Sequence, residues 1–367
     1  MSKLSCLGKV LNGAAIPKTF GQYPAYGGNG VISHVNECNH PEKTIIIGRV
    51  GANCGAVHIS DKKCWITDNA LAFRVNNATD TYFAYYLLKM LDLNRFHIGS
   101  SQPLITQTII NNIEYNYITD KKVQEKISTC IKSLDDKIAN NNTINKELEA
   151  MAKTIYDYWF MQFEFPDENG KPYKSSGGKM VYNEELKREI PEGWEVDKFD
   201  NLVAPAPKLN AIKAPDYQDS GKYPIVDQAA DLVTGYTDDE SYLFSNEDGC
   251  VVFGDVTTYF KYINFPFAKG TDGTKIIRSK ENRIPPLLLY HLIKDCKLPN
   301  VGFARHYMFL REIKVLVPCE DLCRKYDSIT RPTMELRSKN IKENQELASL
   351  RDFLLPLLMN GQVGFKN

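Results

Sequence analysis

Apolar residues and asparagines recur at spacings of four and three along residues 119–160: Ile127, Ile131, Leu134, Ile138, Asn141, Asn145, Leu148, Ala152, Ile155 and Trp159. No Pro or Gly interrupts the stretch. That alternation is the seam of a helix packed lengthwise on another helix. At ~1.5 Å per residue the pattern predicts a helix of about 60 Å. Thr119 or Asp120 supplies the oxygen that caps its first free N–H groups. Asn141 and Asn145 on the seam trade packing for register.

A partner lies in the same chain, at IKENQELASLRDFLLPLLMNG, residues 341–361. At an offset of 199, Asn145 falls on Asn344, Leu148 on Leu347, Met151 on Leu350 and Ile155 on Leu354. The polar seam residue repeats with the apolar ones, so a second seam through Asn344, Leu347, Leu350 and Leu354 is expected. Pro332 is expected to break the early part of this second helix.

Between the helical stretches the pattern changes. Residues 1–118 hold short apolar runs, TIIIGRV and ALAFRV, separated by Gly, Asn and Asp, a strand-and-turn rhythm with one helix at TYFAYYLLKML. Residues 164–195 are rich in turn formers and charge and read as an ordered linker with an entry strand. Residues 196–318 return to strands, GCVVFGDV and TKIIR, with one helix at PPLLLYHLIKDC. The globular pieces match in order: Tyr23-Pro24 with Tyr223-Pro224, IIIGRV with VVFGDV, YYLLK with YHLIK, and Asn112-Ile113 with Glu312-Ile313. A globule-plus-helix unit copied once accounts for this. Antiparallel helices would then relate the two globules by a pseudo-two-fold axis, at opposite ends of a rod. The predicted divisions are a first globule at 1–118, a long helix at 119–163, a linker at 164–195, a second globule at 196–318 and a terminal helix at 319–367.

Composition narrows the class. Forty-three per cent apolar and 25% charged residues are those of a globular protein. No apolar run approaches the ~18 residues of a membrane span. The start MSKLSCLGKV lacks the apolar core of a signal peptide. Nine scattered cysteines fit reduced thiols, so the expected place is the cytoplasm. Net charge is zero, against non-specific coating of nucleic acid. Locally, residues 227–248 carry acids without Lys or Arg, while 261–283 are basic and either solvated or in contact with phosphate.

Catalytic patterns fail on inspection. Asn264-Phe265-Pro266-Phe267 echoes the N-P-P-F of adenine methyltransferases, but Phe replaces the first Pro and no Gly-rich cofactor loop precedes it. GRVGANCG at 48–55 lacks the Lys-Ser/Thr of a phosphate loop. Cys38, His40, Cys54, His58 and Cys64 lie close in sequence without a CxxC pair, and no metal or cofactor is expected. Tyr156, Tyr158, Trp159, Phe160 and Phe163 either pack on the adjacent globule or form a docking patch.

The run LDDKIANNNTINKELEAMAKTIYDYWFMQFEFPDENGKPYKSSGGKMVYNEELKREIPEGWEV resembles the central region of specificity subunits of type I restriction–modification systems. GSSQPLITQTIINNIEYNYI at 99–118 and GFARHYMFLREIKVLVP at 302–318 resemble the closes of their recognition domains. The resemblance implies an α+β chain with two similar mixed α/β target-recognition domains separated by a pair of long antiparallel helices. It also implies choice of a bipartite DNA target by a non-catalytic subunit. Its partners would be double-stranded DNA, two methyltransferase subunits and restriction/translocase subunits. Methyl transfer and ATP use would fall to those partners. The competing reading is an interaction scaffold that reads no bases.

Base edges are read by Arg, Lys, Asn, Gln, Ser and Thr from loops. The candidates are Tyr26, Asn29, Arg49, Asn53, Ser100, Ser101 and Gln102 in the first globule. In the second they are Asp227, Gln228, Thr257, Thr258, Tyr259, Lys261, Arg305, His306 and Tyr307.

Overall fold

The computed structural model describes residues 2–99, 102–245, 248–299, 302 and 305–365. They fall into two compact units, Met1–Ala139 with Asn344–Asn367, and Asn140–Glu343. The unit boundary cuts both long helices rather than setting them apart as domains of their own.

The first unit contains β1 (Ser2–Lys3), β2 (Gly8–Asn12), β3 (Tyr23–Gly27), β4 (Gly30–Val35), β5 (Thr44–Gly48), β6 (Val57–Ser60), β7 (Trp65–Ile66) and β8 (Ala70–Val75). Helices α1 (Thr81–Met90) and α2 (Gln107–Asn112), strand β9 (Glu114–Tyr115) and the start of α3 (Lys121–Tyr156) follow. Strand β5 is buried along its whole length, as its unbroken Thr-Ile-Ile-Ile run requires. It lies between β6 and β8, antiparallel to both. Strand β3 pairs antiparallel with β4 and parallel with β7. Asp80 starts α1 by accepting from the Phe83 N–H at 2.8 Å.

The second unit holds the rest of α3, then β10 (Met180–Asn183), β11 (Arg188–Pro191), β12 (Glu195–Lys198), α4 (Phe199–Leu202), β13 (Tyr223–Val226), β14 (Gly235–Thr237) and β15 (Leu243–Phe244). After these come β16 (Cys250–Gly254), β17 (Phe260–Ile263), β18 (Phe267–Lys269), β19 (Thr274–Ile277), α5 (Pro286–Ile293), α6 (Tyr307–Glu312), β20 (Lys314–Val317) and α7 (Glu320–Met359). Strand β16 lies between β17 and β19, antiparallel to both. Strand β13 pairs antiparallel with β14 and parallel with β18. This is the pairing of β5 and β3 over again. Helices α1 and α5, then α2 and α6, take the same places in chain order. A short antiparallel pair closes each unit, β1 with β9 and β12 with β20. The chain is α+β, and the repeat read from the sequence is a repeat of these central pairings, with β2 added beside β8 in the first unit and β15 beside β18 in the second.

Within each unit α3 and α7 pack antiparallel. In the first, Ile127 and Ile131 share a core with Leu355, Leu358 and Met359, with Leu354 packed against it. Asp135 takes Arg351 at 2.7 Å and the Tyr86 hydroxyl at 2.8 Å. Leu134 and Ile138 are half-buried. In the second, the Asn340 amide donates to Asn145 Oδ1 at 2.9 Å, Asn141 donates to Glu343 at 2.7 Å, and Arg337 pairs with Glu149. Leu148 and Ile155 pack against a core that holds Ala152, Tyr156 and Trp159.

Two expectations change, and one alternative left open is decided. Helix α7 does not break at Pro332, which is exposed in an unbroken run from Glu320 to Met359. Pro denies the turn one N–H, but Tyr326, Thr330, Met334 and Arg337 keep one face buried across it. Leu350 is 45% exposed, because the buried face of this end of α7 runs through Leu355, Leu358 and Met359, while Asn344, Leu347 and Arg351 are half-buried. The aromatic cluster after α3 is mainly core: Tyr156, Trp159, Phe160 and Phe163 are buried, and Tyr158 is exposed. Residues 163–194 join that core as well. Trp194 stacks on Phe165 at 5.5 Å and meets Phe163 edge-on.

Candidate nucleic-acid interface

In the first unit three loops gather at the end of β5. The β3–β4 turn carries Gly28 and Asn29, and Gly30 follows at φ 98°. Gly48 cannot carry a side chain, since a Cβ would stand 2.3 Å from Gly28 O and 2.5 Å from Asn53 O. The loop after β5 is tied to the third loop by Gly51 N–H to Pro103 O at 3.0 Å and Ile105 N–H to Arg49 O at 2.9 Å. Asn94, which the sequence reading passed over, donates to Cys54 O at 2.7 Å and anchors the same loop. The result places Asn29, Arg49, Asn53 and Gln102 on neighbouring loops. Asn29, Asn53 and Gln102 are exposed and Arg49 is half-buried. Tyr26 is half-buried on a small apolar cluster and supports the turn more than it presents itself. Ser100 and Ser101 lie outside the described residues.

In the second unit the equivalent strand end is the turn from Gly254 to Tyr259. Thr258 adopts φ 60°, an unusual state for a β-branched residue. Its N–H donates to Gly254 O at 2.8 Å, and Gly254 N–H donates to Tyr259 O at 2.9 Å. Val256, Thr257 and Tyr259 are exposed at the tip, Tyr259 by 51%. Beneath it Asp255 is buried. Its carboxylate accepts from Tyr307 N–H at 2.8 Å and faces Lys275 at 3.4 Å, and its carbonyl accepts from His306 N–H at 2.8 Å. The sequence carried one sign of this keystone: an Asp in GDV where the other copy has the Arg of GRV. A cleft of about 480 Å³ opens beside the turn, lined by Thr257, Thr258, Lys294 and His306 among others.

Several candidates prove to be internal. Asp227 is buried and accepts from Ala229 N–H at 2.8 Å and the Tyr217 hydroxyl at 3.2 Å. Lys261 is 6% exposed and donates to the carbonyls of Asp227, at 2.9 Å, and Asp231. Burial pushes its ammonium below the usual lysine range, against the pull of Asp227 and Asp231. His306 is buried and Tyr307 half-buried, leaving Arg305 as the exposed member of that run. Gln228 is half-buried, with Oε1 accepting from Val256 N–H at 3.3 Å. Of the basic segment, Lys275 faces Asp255, and burial with Lys275 nearby lowers Lys269.

Among the described residues no three His, Cys, Asp or Glu side chains come together to hold a metal. Nor is any helix of the described residues long and apolar enough to cross a membrane.

Residues 3–150 match the family model of the type I restriction modification DNA specificity domain. Over 309 residues the chain is 26% identical to the MjaIX specificity subunit of a type I restriction enzyme from Methanocaldococcus jannaschii, covering 77% of this chain and 68% of that one. A shorter match, 33% identical over 81 residues, is to the EcoprrI specificity subunit from Escherichia coli, covering 22% of this chain and 20% of the other. Among solved structures, the S subunit of a type I restriction-modification system from M. genitalium shares the fold with TM-score 0.61 at 17% identity. That match covers 98% of this chain and 95% of that chain.

Proposed function

We propose that this chain, a member of the type I restriction–modification DNA specificity family, reads a split DNA target with two recognition surfaces, one in each unit. The supporting observation is the repeated topology with unlike residues at the repeated position. The loops around the equivalent strand ends carry Arg49, Asn53 and Asn29 in one unit and Thr257, Tyr259 and Arg305 in the other. Equivalent scaffolds with different side chains suit two different half-sites. Arg and Asn reach base edges bidentately, and Thr and Tyr add hydroxyl and apolar contacts. In this reading the chain carries no catalytic group of its own. It works with methyltransferase subunits, two in the full assembly, and with restriction/translocase subunits. Within each unit the paired stretches of α3 and α7 offer them exposed polar residues.

Co-expression with a methyltransferase subunit, followed by sequencing of methylated DNA, tests the reading. A motif of two short blocks with a fixed gap is the expected result. Stable association with no sequence preference in the methylation would mean a scaffold instead.

A further inference from the structure

The buried lysine of β17 has a consequence for what the second unit reads. Lys261 and Ile263 share the inward face of that strand, and both are buried. The lysine ammonium crosses beneath the segment 227–231 and holds it by two backbone carbonyls. One residue along that segment, Gln228 fills a slot between two glycines. A Cβ on Gly273 would stand 2.4 Å from Gln228 Oε1, and one on Gly254 would stand 2.9 Å from Gln228 Cβ. From that slot Gln228 accepts from Val256 N–H through its side chain and from the Thr257 hydroxyl through its backbone carbonyl. A continuous set of hydrogen bonds therefore runs from Lys261 through 227–231 to the turn that presents Val256, Thr257 and Tyr259.

We infer that Lys261 and Gln228 are positioning residues that set which bases the second unit accepts, without touching DNA themselves. This rests on the two-surface reading above. A base contact is lost when its donor moves by about an ångström, and each mismatch normally discriminates by 1–3 kcal/mol, roughly 5- to 150-fold. Freeing the turn should therefore blur the second half-site and leave the first untouched. A loss of general stability would weaken recognition of both halves alike.

The test uses the chain co-expressed with a methyltransferase subunit, with the methylation motif of each variant read by sequencing. The wild-type motif comes first, and a single contiguous block there would overturn the two-surface reading before any variant is made. For Lys261→Met, discrimination at one or more positions of one half should fall roughly tenfold, the scale of one lost base contact, with the other half and the gap unchanged. Lys261→Arg should restore much of it, because a guanidinium can donate to the same two carbonyls. Gln228→Ala removes the side-chain bond to Val256 N–H, keeps the backbone bond to Thr257 and empties no buried charge site, and should blur the same half. Arg49→Ala should affect the other half. An unchanged motif in Gln228→Ala, or equal loss at both halves in folded Lys261→Met, would overturn the inference.

Discussion

At the scale of single residues, environment decides what a side chain can do. His291 shows this in its titration. Its ring is buried against Tyr156, with centroids 4.9 Å apart, and neither nitrogen has a hydrogen-bond partner among the described residues. Burial, with Lys294 nearby, pushes its pKa down from 6.5 to about 3. Between those values the unfolded chain binds a proton that the folded one refuses. The stabilisation is therefore present above pH 6.5 and is lost as pH falls toward 3. From pH 7 to pH 5 the loss from this one group is about 2 kcal/mol. Denaturant titrations at both pH values should show His291→Phe, which keeps the stack on Tyr156, losing about 2 kcal/mol less than wild type over that interval. Equal losses would mean that the ring is solvated in the folded state.

Residue type alone misled the choice of reading groups for the same reason. Lys261 and Asp227 look like solvated charges in a list of residues. Their burial follows from strand alternation: Lys261 is two positions from Ile263, so it shares the inward face. That signal was available. The burial of His306 was not, since it depends on Asp255 arriving from a turn 51 residues away.

At the scale of elements, the seam of α3 was legible because its period survives over five heptads, and Ile127, Ile131, Asn145 and Trp159 are all buried. The repeat was legible because Tyr23 and Tyr223 each open an equivalent strand. Pro332 was misread because local propensity favours a break, while the buried face of α7 holds the helix through it. This gives a second prediction. Pro332→Ala restores the N–H and removes a ring clash with the preceding turn, at an exposed position with no packing to lose. It should stabilise the protein by about 1–3 kcal/mol, seen as a rise in melting temperature. A fall in melting temperature would show that α7 needs a bend there.

At the scale of the molecule, α3 and α7 are the segments that cross between units. If each unit reads its own half of the target, the helices set only the spacing. One heptad added to each, after Ala139 and after Glu343, keeps both seams in phase. The methylation motif should change in gap length and keep both half-sites. Altered bases in either half would separate helix length from its assigned role.

The central claim is that the two units are readers built on the same central strand pairings, each presenting its own side chains. It is tested most directly by making them the same. In a chain whose residues 199–312 are replaced by residues 4–112, the junctions fall at matching points of the repeated topology. Sequencing of the methylated DNA should then return a motif whose two halves carry the same bases, those of the wild-type first half. A motif that still carries the wild-type second half would contradict the account.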